Sequence, residues 1–282
     1  MRLVTRSDFD GLACAVLLKE IGLIDDYLFA HPKDLQDGLI TVNENDILAN
    51  VPYVPGCGMW FDHHTSEQVR LDGTQKFKGA SRPLHSCARV IWEYFEGEKK
   101  FPKHLLPMLE CVDRVDSAHL TAQEIADPKG WILLGFIMDP RTGLGRFKDF
   151  RISNYQLMLD MIDYCRTKKA EEILKIADVS ERVDVYKEQS KIFVDMLRRN
   201  SEVHDNLVLT DLRGEETIYA GNRFLIYTLF LKCNISMQIM WGVRKQNVVI
   251  TLGHSILKRH CKTNVGKLML EYGGGGHDTV GT

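Results

Sequence analysis

Along the first sixty residues, short apolar runs alternate with helix-patterned or polar stretches. Arg2–Thr5 reads as a strand, and after Asp8-Phe-Asp-Gly11 the residues Leu12, Ala15, Val16 and Leu18 recur at helical spacing until Gly22, a natural helix terminator. Residues 27–30, 47–51 and 58–61 are three more apolar runs. The first of these is closed by His31-Pro32 and the last by Asp62-His63-His64. Short apolar strands with helical or loop connections predict a parallel sheet, in which ligands gather at the carboxyl ends of the strands.

From Arg82 the period turns helical. Leu84, Cys87, Ala88, Ile91, Trp92 and Phe95 form one apolar stripe, with Pro83 near the first turn. Residues 105–112 predict a helix leading into Asp113-Arg-Val-Asp116, and 154–166, 170–176 and 179–198 predict three more. The last is rich in Glu, Lys and Arg, as an exposed connector would be. Beyond it the texture predicts strands at 206–209, 224–229, 236–243 and 247–252, then a helix at 264–272 running into Gly273-Gly-Gly-Gly-His277. The expected fold is α/β with two domains: a parallel sheet with flanking helices over 1–180, a helical connector over 181–200, and a smaller mixed α/β domain over 201–282.

Composition narrows the partners. The 282 residues carry 36 Lys and Arg against 38 Asp and Glu, a net charge of −2, which argues against strong nonspecific binding to duplexes. No apolar run approaches the ~20 residues of a membrane helix, and no signal-like layout follows Met1, so a cytoplasmic protein is expected. The seven cysteines, at 14, 57, 87, 111, 165, 233 and 261, include no C-x-x-C pair. They read as reduced thiols rather than a zinc ribbon.

Four constellations carry candidate chemistry. Asp8 and Asp10, between a strand and a helix, can serve divalent ions such as Mg²⁺ or Mn²⁺, or Asp8 can simply cap the helix. His63 and His64 on an extended segment point opposite ways, so one can ligate metal while the other faces substrate. Asp113 and Asp116, three apart near a helix end with His119 close behind, share one helical face, where they serve either a metal or an ion pair with Arg114. The run Gly273 to Gly276 lets backbone N–H groups approach a phosphate closely. Trp60, Trp92, Trp131 and Trp241 lie in apolar runs and read as core, and His254 and His260 as surface or structural residues.

The order D-x-D-G, D-H-H, a later helical Asp, then G-G-G-G-H resembles the DHH phosphoesterase superfamily from end to end, including its C-terminal DHH-associated domain. The exopolyphosphatase-related and nanoRNase-like members are most similar, and the RecJ-type exonucleases more distant. The resemblance implies one or two divalent ions, Mn²⁺ or Mg²⁺, with Asp8, Asp10, His63 and Asp113 as ligands. It places His64 near the scissile phosphate, with Asp62 orienting a histidine. It assigns Gly274, Gly275, His277 and Arg259, or Lys258 in place of Arg259, to the substrate's phosphate. The implied activity is hydrolysis of phosphodiester or phosphoanhydride bonds in short single-stranded oligonucleotides, nucleotides or polyphosphate, and a homodimer is compatible with it.

Two departures support an alternative, a non-catalytic phosphate or nucleotide sensor. Many members carry a histidine where this chain has Val4, and members usually carry a metal-bridging aspartate where it has Asn50. Asp46 lies four residues earlier, roughly 13 Å back along a strand. His31, at the same sheet edge, is a further candidate to compensate.

Overall fold

The computed structural model describes residues 1–71 and 75–282. They divide into two compact units: Met1–His119 with Lys129–Pro140 and Gly145–Val183, and Leu120–Pro128 with Arg141–Leu144 and Asp184–Thr282. Where the sequence suggested a single cut near 180–200, two short earlier segments belong with the C-terminal unit.

The first unit runs β1 Arg2–Thr5, α1 Phe9–Glu20, β2 Asp26–Phe29, α2 Pro32–Gln36, β3 Asp46–Ala49, β4 Met59–Asp62, α3 Thr65–Arg70, β5 Gly79–Ser81, α4 Cys87–Tyr94 and α5 Leu106–Asp116. The five strands form one parallel sheet in the order β2-β1-β3-β4-β5. One face of this sheet packs Val4, Leu48, Val51, Tyr53 and Trp60 into an apolar cluster. α1 is buried on nearly every side, which its run of Leu12 to Leu18 permits because no charge interrupts it.

After α6 Ala122–Ala126, which falls in the second unit, the first unit resumes with α7 Gly130–Met138, α8 Asn154–Thr167 and α9 Ala170–Ile173, and α10 Ala177–Arg199 begins in it and passes into the second unit at Asp184. α4 starts later than its apolar stripe predicts. Ser86 caps it, the side chain accepting from Arg89 N–H, so Leu84 lies outside the helix.

The second unit continues with β6 Ser201–His204, β7 Leu207–Asp211, α11 Leu225–Leu229, β8 Ile235–Trp241, β9 Val248–His254, α12 Val265–Glu271, β10 Gly276–His277 and β11 Val280–Gly281. Its sheet, in the order β10-β11-β9-β8-β7-β6, is mixed, with only β7 and β8 parallel. Residues 224–229, expected as a strand, form α11 instead. Leu225, Ile226 and Tyr227 are all buried there, and the Tyr227 hydroxyl meets Ser236 Oγ at 2.8 Å. An apolar run this short carries no usable period. Trp60 and Trp92 are core as expected, whereas Trp241 ends β8 at 40% exposure. Among the described residues no helix is long and apolar enough to cross a membrane.

Candidate metal centre

β1, β3 and β4 lie side by side, so their carboxyl ends bring three loops together at one sheet edge. Asp8 caps α1 after β1 and Asp10 lies in its first turn, Asn50 follows β3, and β4 ends at Asp62 with His63 and His64 just beyond it. Gly11 lets the first turn of α1 pack on the loop after β1, because a Cβ there would lie 2.0 Å from the Arg6 carbonyl oxygen. Asp8 caps α1 and accepts the Gly11 N–H at 2.9 Å.

Asp10, His63 and Asp116 converge, with one ligand atom from each lying within 4.8 Å of the others. His63 Nε2 is 3.2 Å from Asp116 Oδ2 and 3.7 Å from Asp10 Oδ2. Its Nδ1 is 3.2 Å from the Leu84 carbonyl, which can only accept, so Nδ1 carries the proton of the neutral ring. Nε2 then presents a lone pair toward two carboxylates and, buried, has no hydrogen-bond partner among the described residues. A divalent cation fits that arrangement, since it is what two carboxylates and an imidazole lone pair can share.

The α4 N-terminus fixes Asp10. Cys87 N–H donates to its Oδ2 at 2.9 Å and Ala88 N–H to its Oδ1 at 2.8 Å. Burial pushes the Asp10 carboxyl well above the usual range, and the charges of Asp116 and Asp8 add to that push. A bound cation would reverse it. His64 Nδ1 is 2.9 Å from Asp62 Oδ1, and Asp62 is fully buried. Burial opposes charging of His64, but the hydrogen bond and charge of Asp62 outweigh it, with Asp116 adding to them, and the His64 pKa is raised.

No family model and no curated protein matches the chain. A solved structure described as the pGpG-specific phosphodiesterase PggH from Vibrio cholerae is 51% identical, with a TM-score of 0.88 over 99% of this chain and 91% of its own. The chain belongs to the DHH phosphoesterase family. As a DHH protein it is a hydrolase of phosphate esters, so the sensor reading gives way to a catalytic one. A solved DHH domain, described as coming from a member of a ribosomal-protein family, is 12% identical, with a TM-score of 0.58 over 99% of this chain and 81% of its own, and shares the fold alone.

Several residues of this DHH chain stand elsewhere than the resemblance implied. The helical acid that joins the cluster is Asp116, not Asp113. Asp113 Oδ1 accepts from Ser86 Oγ at 2.7 Å, and its Oδ2 is gripped by Arg89 Nε and Nη2 at 2.8 and 2.6 Å. Asn50 donates from Nδ2 to Asp8 Oδ1 at 3.0 Å, and its own buried Oδ1 has no partner among the described residues. His31 caps α2, its Nδ1 accepting from Lys33 N–H, and Asp46 pairs with Arg2 at 2.7 Å.

In the second unit the N–H groups of Gly273, Gly274 and Gly275 donate to Leu270, Met269 and Thr282. They close α12 and build a hairpin rather than standing open to a ligand. A Cβ at Gly274 would lie 2.3 Å from the Thr282 carbonyl oxygen, while one at Gly275 would meet nothing within 4 Å. His277 is exposed on β10, and Arg259 sits in the turn after β9, its Nε donating to the Ile256 carbonyl at 3.0 Å. Lys258 Nζ reaches the Lys232 carbonyl at 3.5 Å.

Proposed function

We propose that the chain cleaves the phosphodiester of a short linear dinucleotide with a terminal phosphate, pGpG before others, in the cytoplasm. The observation that carries this is 51% identity, over 99% of the chain, to a protein described as pGpG-specific, joined to a cluster that fits a catalytic cation.

Asp10, His63 and Asp116 would hold that ion. The imidazole nitrogen among the donors favours Mn²⁺ over Mg²⁺. When bound, a divalent ion lowers the pKa of a coordinated water and neutralises phosphoryl charge. His64 would handle the proton. Asp62 occupies Nδ1, which leaves Nε2 for the substrate, and the raised pKa keeps the ring charged nearer neutral pH. His64 Nε2 would donate to the departing 3′ oxygen as water adds to phosphorus, giving two mononucleotides. Arg259 and His277, both exposed on the second unit, are the candidates there for the terminal phosphate, with Gly274 and Gly275 shaping the hairpin that carries His277.

The test is a screen of the purified chain with Mn²⁺ on pGpG, its cyclic counterpart, a diadenylate of the same length and polyphosphate. GMP from pGpG, well above all others, is expected. Cleavage of polyphosphate with pGpG left intact would sink the reading.

A further inference from the structure

Asp8 is the acid that family resemblance assigns to a second ion, yet both its oxygens are already engaged. Oδ1 accepts from Gly11 N–H at 2.9 Å and Asn50 Nδ2 at 3.0 Å, and Oδ2 faces Arg6 Nε at 3.1 Å. A carboxylate offers about four lone-pair directions, and three of these are met from within the fold. The residue opposite is a neutral amide, 1% exposed and held at φ 57°, the left-handed region that asparagine tolerates better than most.

An ion at Asp8 would therefore sit beside a guanidinium that cannot lose its charge, and from the end of β3 it would meet an amide instead of a further carboxylate. Among Asp8, Arg6 and Asn50 the charges balance: one carboxylate, one guanidinium, one amide. Arg6 lies in the loop after β1, at the sheet edge where β3 and β4 also end. Its side chain is 30% exposed against 7% for Asp8, so solvent reaches part of a side chain whose Nε is paired with Asp8. His64 feels its charge.

We infer that Arg6 takes the place of a second cation: the chain binds one ion, at Asp10, His63 and Asp116, and the Arg6 guanidinium, aimed by Asp8 and Asn50, contacts the substrate phosphate. The phosphate contact rests on the phosphoesterase reading, whereas the ion count does not. A guanidinium supplies a planar, permanently charged donor pair that suits phosphoryl oxygens.

The experiment is a Mn²⁺ titration of the full chain, followed by loss of the free-ion electron paramagnetic resonance signal. The wild type should bind one ion and the double variant Arg6→Gln/Asn50→Asp two. Two tight ions in the wild type overturn the replacement, as does a natively folded double variant that still binds one. For the contact, Arg6→Gln should raise KM for pGpG by about 10- to 100-fold with one ion still bound, and Arg6→Lys should recover part of the loss. An unchanged KM overturns the contact. If neither wild type nor variant cleaves pGpG, the substrate reading has failed while the ion counts still decide the replacement.

Discussion

His63 and His64 are neighbours with ring centroids 4.3 Å apart, yet their second nitrogens meet different partners, a backbone carbonyl and a buried carboxylate. That difference separates their roles. His63→Ala should lose metal and turnover together, whereas His64→Ala should keep the metal and lose about 10²–10⁴-fold in kcat. Mn²⁺ titration beside single-turnover kinetics distinguishes the two. Asp62→Asn removes the charge that helps raise the His64 pKa and leaves only a neutral acceptor, so the His64 pKa should fall. If His64 donates a proton, the alkaline limb of the pH–rate profile then moves to lower pH. A limb that stays in place excludes His64 as the acid. The two helical acids part in the same way. Asp116→Asn should weaken Mn²⁺ binding by at least ten-fold with little change in metal-free stability. Asp113→Asn should leave Mn²⁺ affinity intact and cost about 3 kcal/mol, because the half-buried Arg89 loses its bidentate partner. Thermal melts and calorimetry read both effects.

At the scale of elements, the N-terminus of α4 is the part on which the centre depends. Ser86 caps it, donates to Asp113 and precedes the two N–H groups that hold Asp10. Ser86→Ala should therefore cost about 1–2 kcal/mol in a melt and also weaken Mn²⁺ binding, although Ser86 touches no ligand oxygen of the cluster. A variant that melts early with unchanged Mn²⁺ affinity would show that Asp10 does not need this cap. Four strands of the parallel sheet were readable in the sequence as short apolar runs, with D-x-D-G and D-H-H marking two strand ends, whereas β5, Gly-Ala-Ser, is too short and too polar to show. The pairing of Asp113 with Arg89 was not readable. Two acids three residues apart share a helical face, and only the packing of α4 on α5 decides which one meets an arginine. Helix α7, Gly-Trp-Ile-Leu-Leu-Gly-Phe-Ile-Met, escaped the sequence reading for a related reason: it is apolar on all sides and shows no period. The glycine run was noticed, but glycines serving a helix end and a hairpin look the same in sequence as glycines cradling a phosphate.

For the whole molecule, every residue of the candidate ion site lies within Met1–His119 of the first unit. Saturation with Mn²⁺ at about 100 times Kd should add about 2.7 kcal/mol. Hydrogen exchange should show that protection in β1, β4, α4 and α5, with β7, β8 and β9 unchanged. The pH dependence follows from Asp10. Burial first, then the charges of Asp116 and Asp8, raise its folded carboxyl above the unfolded value, so the metal-free fold gains stability from Asp10 as pH falls through that raised value. Mn²⁺ needs the opposite state: Asp10 ionised and His63 neutral. The two trends oppose each other. Between about pH 8 and about pH 5 the Mn²⁺-induced rise in Tm should therefore shrink steadily, while Asp10 itself does not destabilise the metal-free chain. Asp10→Asn should abolish the rise at every pH. A rise of the same size across that range would mean that the ion does not compete with the Asp10 proton, and that the cluster of Asp10, His63 and Asp116 is not where it binds.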